Sequence, residues 1–251
     1  MVMALVFYAM LMSEICLIMG NSIKLEVTIS GASPVENGTE GIFGGIIAEN
    51  HAYPWQVKLE RDDRPLKHWC GGSIICPGYI MTAAHCVAPP VDVERHITVF
   101  AGINRKGDPG EQRRRVNRAI IHPNYIPSPV LLNDYAVLDL STPINLRPET
   151  SPIYLPLPNE PGINILGTRF AASGWGKTEK TATPRDLRVE TLFQYTPSEC
   201  PVRDPSEFCT GRNVPRFGVC NGDSGGKKYQ KSLNQNVKYF FYIIPIYLST
   251  Y

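Results

Sequence analysis

The amino-acid sequence predicts an all-β chain, and three observations carry that reading. Glycine (21 residues) and proline (22 residues) are abundant for a helical protein and suit many short strands joined by turns. The apolar runs are short and alternate as strands do, and no long stretch keeps a helical period. Strands at this spacing predict antiparallel barrel architecture. Residues 147–162, Arg-Pro-Glu-Thr-Ser-Pro-Ile-Tyr-Leu-Pro-Leu-Pro-Asn-Glu-Pro-Gly, hold five prolines and no periodicity, so they read as an extended crossing between two barrels.

Composition narrows the partners. The 251 residues leave room for one large or two small cores. The 25 basic and 23 acidic residues give a net charge of +2, which points to neither a nucleic-acid nor a membrane partner. Seven cysteines in such a chain suit an oxidising compartment.

Taken in order, residues 1–20 read as a signal peptide. Ala4 to Met12 is an apolar run of that length, too short to span a bilayer, although no Lys or Arg precedes it and Ser13-Glu14 interrupts it. The expected location is therefore extracellular, by secretion. Residues 21–41, mixed polar and glycine-bearing, read as a pro-segment, within which Asn37-Gly38-Thr39 fits the glycosylation pattern. From 55 to 140 the strand signals are Trp55 to Leu59, which alternates, Ser73 to Ile75 after a glycine pair, and the mostly apolar Tyr135 to Leu140. Arg113-Arg114-Arg115 with Arg118 reads as a solvated surface strand. Tyr239 to Ile244 is apolar but too short, and closed by Pro245, to be a membrane span.

The chemistry-bearing stretch is Cys220-Asn221-Gly222-Asp223-Ser224-Gly225-Gly226. A serine between glycines can present its hydroxyl from a tight turn with no side chain in the way. Such a nucleophile needs a base, and the base needs a group that fixes its tautomer and stabilises its charged form. Thr82-Ala83-Ala84-His85-Cys86 and Asn133-Asp134-Tyr135 supply both, in the order His85, Asp134, Ser224 with separations of 49 and 90 residues. Each residue alone has an ordinary reading: a structural histidine, a strand-entry aspartate, a turn serine. Their conjunction points to nucleophilic catalysis. A zinc site built from His68, Cys70, Cys76, His85 and Cys86 fails on spacing, because the sequence holds no CxxC or HxxxH pair.

These motifs resemble the chymotrypsin/trypsin-like serine proteases over about residues 42–226. The resemblance implies two antiparallel β-barrels of the chymotrypsin type with the triad between them, the first barrel at 42–146 and the second at 163–251 beyond the crossing. Ser173-Gly174-Trp175-Gly176 resembles the family's marker opening the second barrel. Ser224 would attack a peptide carbonyl, His85 would carry its proton to the leaving amine, and Asp134 would hold the imidazole. The backbone N–H groups of Gly222 and Ser224 would form the oxyanion hole. Ile42 would become the new N-terminus and pair with Asp223, although Glu40-Gly41 stands where relatives have a basic residue. Gly218, at the base of the specificity pocket, carries no charge and implies an apolar or aromatic preference. The resemblance also implies the disulfides Cys70–Cys86 and Cys200–Cys209. It leaves Cys76 and Cys220 without family partners, with a Cys76–Cys220 bridge open. Ile103 stands where calcium-binding relatives have an acid, so no metal and no cofactor are expected. The expected partners are protein or peptide substrates and protein protease inhibitors, met by a monomer.

After Gly226 the resemblance ends. No serine-tryptophan-glycine segment and no further cysteine follow, which predicts an incomplete second barrel with one pocket wall missing. Two readings follow from this departure: a catalytically impaired or non-catalytic homologue, or a truncated or mis-joined gene product.

Overall fold

The computed structural model describes residues 45–63, 68–127, 132–153, 169–178, 181, 184–194, 210–211 and 228–230. Six antiparallel strands close into a barrel: β2 (Gln56–Arg61), β3 (His68–Cys76), β4 (Tyr79–Thr82), β5 (Ile97–Ala101), β6 (Gln112–Ile121) and β7 (Ala136–Leu140), in the spatial order β2-β3-β4-β7-β6-β5. The remaining strands form a second sheet. In it β1 (Ile46–Ile47), β9 (Arg188–Gln194), β8 (Arg169–Gly174) and β11 (Lys228–Gln230) lie side by side, and β10 (Thr210–Gly211) pairs with β9. The all-β double-sheet architecture matches the expectation. Among the described residues helix is confined to a 3-10 turn at Ala84–Cys86 and one turn at Val93–His96, the latter capped by the Asp92 carboxylate, which accepts from the Arg95 N–H.

The barrel core follows from strand alternation. Val57 and Leu59 on β2, Ile97, Val99 and Ala101 on β5, and Ala136, Leu138 and Leu140 on β7 point inward and are buried. Each large aliphatic side chain removed from water this way is worth about 1.5–3 kcal/mol. Gly72 on β3 sits where two strands pass closely. A Cβ there would stand 2.8 Å from Ile80 Cγ2 and 3.1 Å from both the Met81 carbonyl oxygen and Val57 Cγ2.

β2 departs from simple alternation, since its polar positions are buried too. Lys58 and Glu60 face outward from the barrel but are roofed by Lys106, which reaches across to donate to Glu60 Oε2. Burial alone would raise the Glu60 pKa; the hydrogen bond from Lys106 and the charge of Lys58 outweigh it and hold the carboxyl below its usual range. Burial pushes the Lys58 ammonium the other way, below the ordinary lysine value.

The two sheets meet along a buried seam. Ser173 Oγ donates to Gln56 Oε1 at 2.8 Å, and the Trp175 indole N–H donates to the Asn104 carbonyl at 3.0 Å. Asn104 is the hub. Its amide nitrogen donates to the carbonyls of Ala48 and Glu49, its Oδ1 accepts from the His51 N–H, and its carbonyl also accepts from the Leu187 N–H. Ile103, Phe100, Ala48, Leu187 and Trp175 close over it as an apolar cluster.

Candidate active site

The first half of the site lies on the closed barrel. His85 occupies the 3-10 turn between the buried Ala84 and Cys86. Cys86 is bonded to Cys70 of β3, with the two Cα atoms 6.3 Å apart. Closing this 16-residue separation stabilises the fold by roughly 3 kcal/mol on the chain-entropy account. It also pins the turn that carries the imidazole to a core strand.

Asp134 enters from the segment before β7, 49 residues away. Its carboxylate is fully buried, and both oxygens are used on one residue. Oδ1 accepts from the His85 backbone N–H at 2.8 Å, and Oδ2 lies 2.6 Å from His85 Nδ1. An ionised carboxylate can only accept, so Nδ1 carries the proton and, in the neutral ring, Nε2 keeps its lone pair. The imidazole itself is 29% exposed, which leaves it reachable. The Cys86 sulfur lies 3.6 Å from Nε2.

The turn that presents Asp134 is shaped by Asn133, to which the sequence assigns no role of its own. Asn133 adopts a positive φ of 51°, in the left-handed region that asparagine tolerates better than most residues. Its amide donates to the Asn124 carbonyl at 2.9 Å, and its own carbonyl accepts from the Tyr135 N–H at 2.8 Å. This sharp turn directs the Asp134 carboxylate back into the barrel rim. The signal was an Asn before the Asp, which is legible only once a tight turn is known to be there. The Tyr125 phenol has its pKa raised by burial and then by the Asp134 charge. Neighbouring His122 is held below its ordinary value by burial.

The comparisons settle the family. The sequence model of the trypsin family matches residues 42–230. Kallikrein 1-related peptidase b27 of Mus musculus is 32% identical over 216 residues, covering 79% of this chain and 77% of that protein. This chain belongs to the trypsin-like serine protease family. Ovochymase-2 of Mus musculus is likewise 32% identical, over 198 residues that cover 74% of this chain but 31% of that longer protein. The family is one of serine peptidase hydrolases.

Ser224, Gly222, Asp223, Gly218, Ile42 and the Cys200–Cys209 pair lie outside the described residues. So does Cys220. Cys76, for which the resemblance gave no family partner and the sequence left a bridge to Cys220 open, is disulfide-bonded. Because Cys70 and Cys86 are joined to each other, the partner of Cys76 also lies outside the described residues. Cys76 closes β3 in a buried position, where local sequence gives no hint of a distant sulfur.

Two groups of potential metal ligands occur among the described residues. Cys70, His85 and Cys86 are already committed to the disulfide and to Asp134. Asp62, Asp63 and His96 form an exposed cluster, in which Arg61 holds Asp63 through two hydrogen bonds and His96 lies 2.7 Å from Asp62. The loop after β5 uses its acids on backbone: Asp108 accepts from the N–H groups of Asn104 and Arg105, and Glu111 from that of Gly107.

Proposed function

We propose that this chain is a secreted serine endopeptidase, made as a zymogen, that cleaves peptide bonds through Ser224, His85 and Asp134. The observation that carries the proposal is the buried Asp134 carboxylate spanning both the backbone and the ring of His85. That arrangement fixes the tautomer in which Nε2 accepts a proton.

In the proposed mechanism, Ser224 Oγ forms a bond to the peptide carbonyl carbon as its proton passes to His85 Nε2. The backbone N–H groups of Gly222 and Ser224 stabilise the oxyanion, each such donor being worth about 3–4 kcal/mol in the transition state. The C–N bond then breaks, and the proton on Nε2 leaves with the amine. Water, deprotonated by the same nitrogen, hydrolyses the acyl-enzyme and restores Ser224. Asp134 stays ionised and stabilises the imidazolium at each step. Gly218 favours an apolar or aromatic side chain in the pocket. Cleavage before Ile42 frees an amino group that neutralises Asp223, a charge costly to bury alone.

Labelling with a serine-reactive fluorophosphonate tests this. The full chain, processed to begin at Ile42, is expected to carry one adduct on Ser224 that the Ser224→Ala and His85→Ala variants lack. An unlabelled but folded processed chain would instead support the second reading, a homologue that binds without cutting. That reading is favoured by the sequence after Gly226, which holds no serine-tryptophan-glycine segment.

A further inference from the structure

We propose that the outward face of β6 is a docking surface for a linear sulfated polysaccharide, gripped by Arg113, Arg115 and Arg118. Neither the His85–Asp134 pair nor the proposed cleavage explains these residues, and the inference does not depend on either.

The topology sets the arginines in a row. Arg113 and Arg115 are two positions apart on one strand, about 7 Å at the strand rise, and face the same side. A register shift between Val116 and Arg118 brings Arg118 onto that side opposite Asp139 of β7. Across the sheet, Arg113 stands beside Phe100 and Arg115 beside Thr98. The row runs away from the catalytic histidine: Ile121, at the other end of β6, is the residue that pairs with Ala136 next to the Asp134 segment.

Formal charge hides how cationic this face is. Arg113 pairs with Glu111, Arg118 with Asp139, and Lys106 with Glu60. The acids lie beneath, with side chains 8%, 19% and 10% exposed, while the cations stand above them at 63%, 63% and 43%. The exposed acid of the group is Asp62, 3.9 Å from an Arg115 side chain that is itself 54% exposed. A partner approaching from solvent therefore meets positive charge first.

The acids also preorganise the row. Arg113 and Arg118 each donate through Nε to a carboxylate, and among the described residues their terminal nitrogens make no other hydrogen bond. Arg115 is tethered through Nη1 to the Arg95 carbonyl. Arg113 and Lys106 both lie over the Phe100 ring, 5.4 and 4.7 Å from its centroid. Terminal guanidinium nitrogens held outward suit the paired oxygens of a tetrahedral oxyanion.

An acidic peptide fits this face less well. Peptide docking draws its affinity from apolar anchors set in pockets. Here the aromatic ring is sealed under two cations, with Phe100 4% exposed. A row of like charges that, among the described residues, has its aromatic ring covered matches a polymer that carries charge and little else. The Cys70–Cys86 disulfide suits an oxidising compartment, where such polymers are encountered.

The test measures binding of the full chain to heparin and, at matched charge, to poly-L-glutamate across a salt series. Heparin is expected to bind at about 0.15 M salt, with affinity falling linearly in log-log form as salt rises. The Arg113→Gln/Arg115→Gln/Arg118→Gln variant is expected to bind at least about tenfold more weakly. A charge-matched Arg105→Gln/Arg147→Gln/Arg185→Gln variant should change by less than about threefold. Should the first triple variant misfold on losing partners for Glu111 and Asp139, Arg115→Gln alone, whose acid is exposed, should still weaken heparin by about threefold. Absence of heparin binding at that salt, or equal losses in the two triple variants, overturns the proposal. Poly-L-glutamate binding as tightly as heparin overturns it in favour of an acidic-peptide surface.

Discussion

The closed barrel and the second sheet are held in different ways. The barrel wraps its own core, in which aliphatic side chains from all six strands pack together and seal the turn bearing His85. Several buried residues of the second sheet and its flanks lean instead on the first barrel. Trp175 and Leu187 pack with Phe100 and Ile103, and Ser173 bonds to Gln56. The His85–Asp134 pair thus belongs to one self-contained unit, while whatever the second sheet contributes must be aligned across a seam. Catalysis by a Ser-His-Asp set needs both.

Removing the charge from the pair tests the barrel's half most severely. Asp134→Asn keeps the shape of the side chain but offers the ring an amide, which can stabilise the wrong tautomer. On the proposed mechanism kcat should fall on the order of 10⁴-fold. The unfolding midpoint should stay close to that of the unaltered chain, because the core around the turn is untouched. A loss below about tenfold on a peptide ester would show that this pair does not orient a catalytic base.

The next largest effect concerns the barrel wall. Gly72→Ala forces a methyl to within 2.8 Å of Ile80 Cγ2, between strands whose backbones cannot separate without opening the barrel. Overpacking of this kind costs about 1–3 kcal/mol. Gly78 provides the contrast, since a Cβ there meets no atom within 4 Å. Urea unfolding should show Gly72→Ala destabilised and Gly78→Ala within about 0.5 kcal/mol of the unaltered chain. Equal effects would mean that the close approach at Gly72 relaxes without strain.

Which of these features the sequence reveals depends on how local their causes are. Trp55 to Leu59 and Tyr135 to Leu140 announce strands because their alternation is written in adjacent letters, and β2 and β7 lie there. Cys70, Cys86, His85 and Asp134 are legible as motif members; in the structure Cys70 is bonded to Cys86, and Asp134 meets the His85 ring. β6 shows in the sequence as three consecutive arginines, which mask the buried Gln112 and Val116 on either side. Lys58 and Glu60 look like solvent-facing positions, yet they are covered by Lys106, whose place over them is set by a loop 46 residues from Glu60. Asn104 carries no local mark at all. Its partners come from Ala48 to His51, Trp175 and Leu187, so its role exists only after both sheets have met.

Asn104 is accordingly where the comparison between the two regions can be sharpened. Asn104→Ala leaves the carbonyls of Ala48 and Glu49 and the N–H of His51 without the side chain that satisfies them. Of these bonds the one to the Ala48 carbonyl is fully buried, and stranding such a group costs about 1–3 kcal/mol. The loss should be localised: backbone amides of Ala48 and Leu187 should exchange faster with solvent deuterium, while those of β3 and β7 keep their protection. Uniform acceleration across the barrel would contradict a self-contained first unit.

The smallest effect belongs to the second bridge across the same seam. Arg105 grips Asp186 Oδ1 through both Nε and Nη2 at 2.7 Å, beside a backbone bridge between the two residues. The arginine side chain is 55% exposed, and water screens the pair. Exposed ion pairs contribute about 0–1 kcal/mol. Arg105→Ala should therefore shift the unfolding free energy by less than about 0.5 kcal/mol, with a coupling to Asp186→Ala that fades at high salt. The two bridges stand one residue apart in sequence and differ chiefly in burial. If Arg105→Ala cost as much as Asn104→Ala, the alignment of the sheets would rest on charge at the rim and not on satisfied amides beneath it.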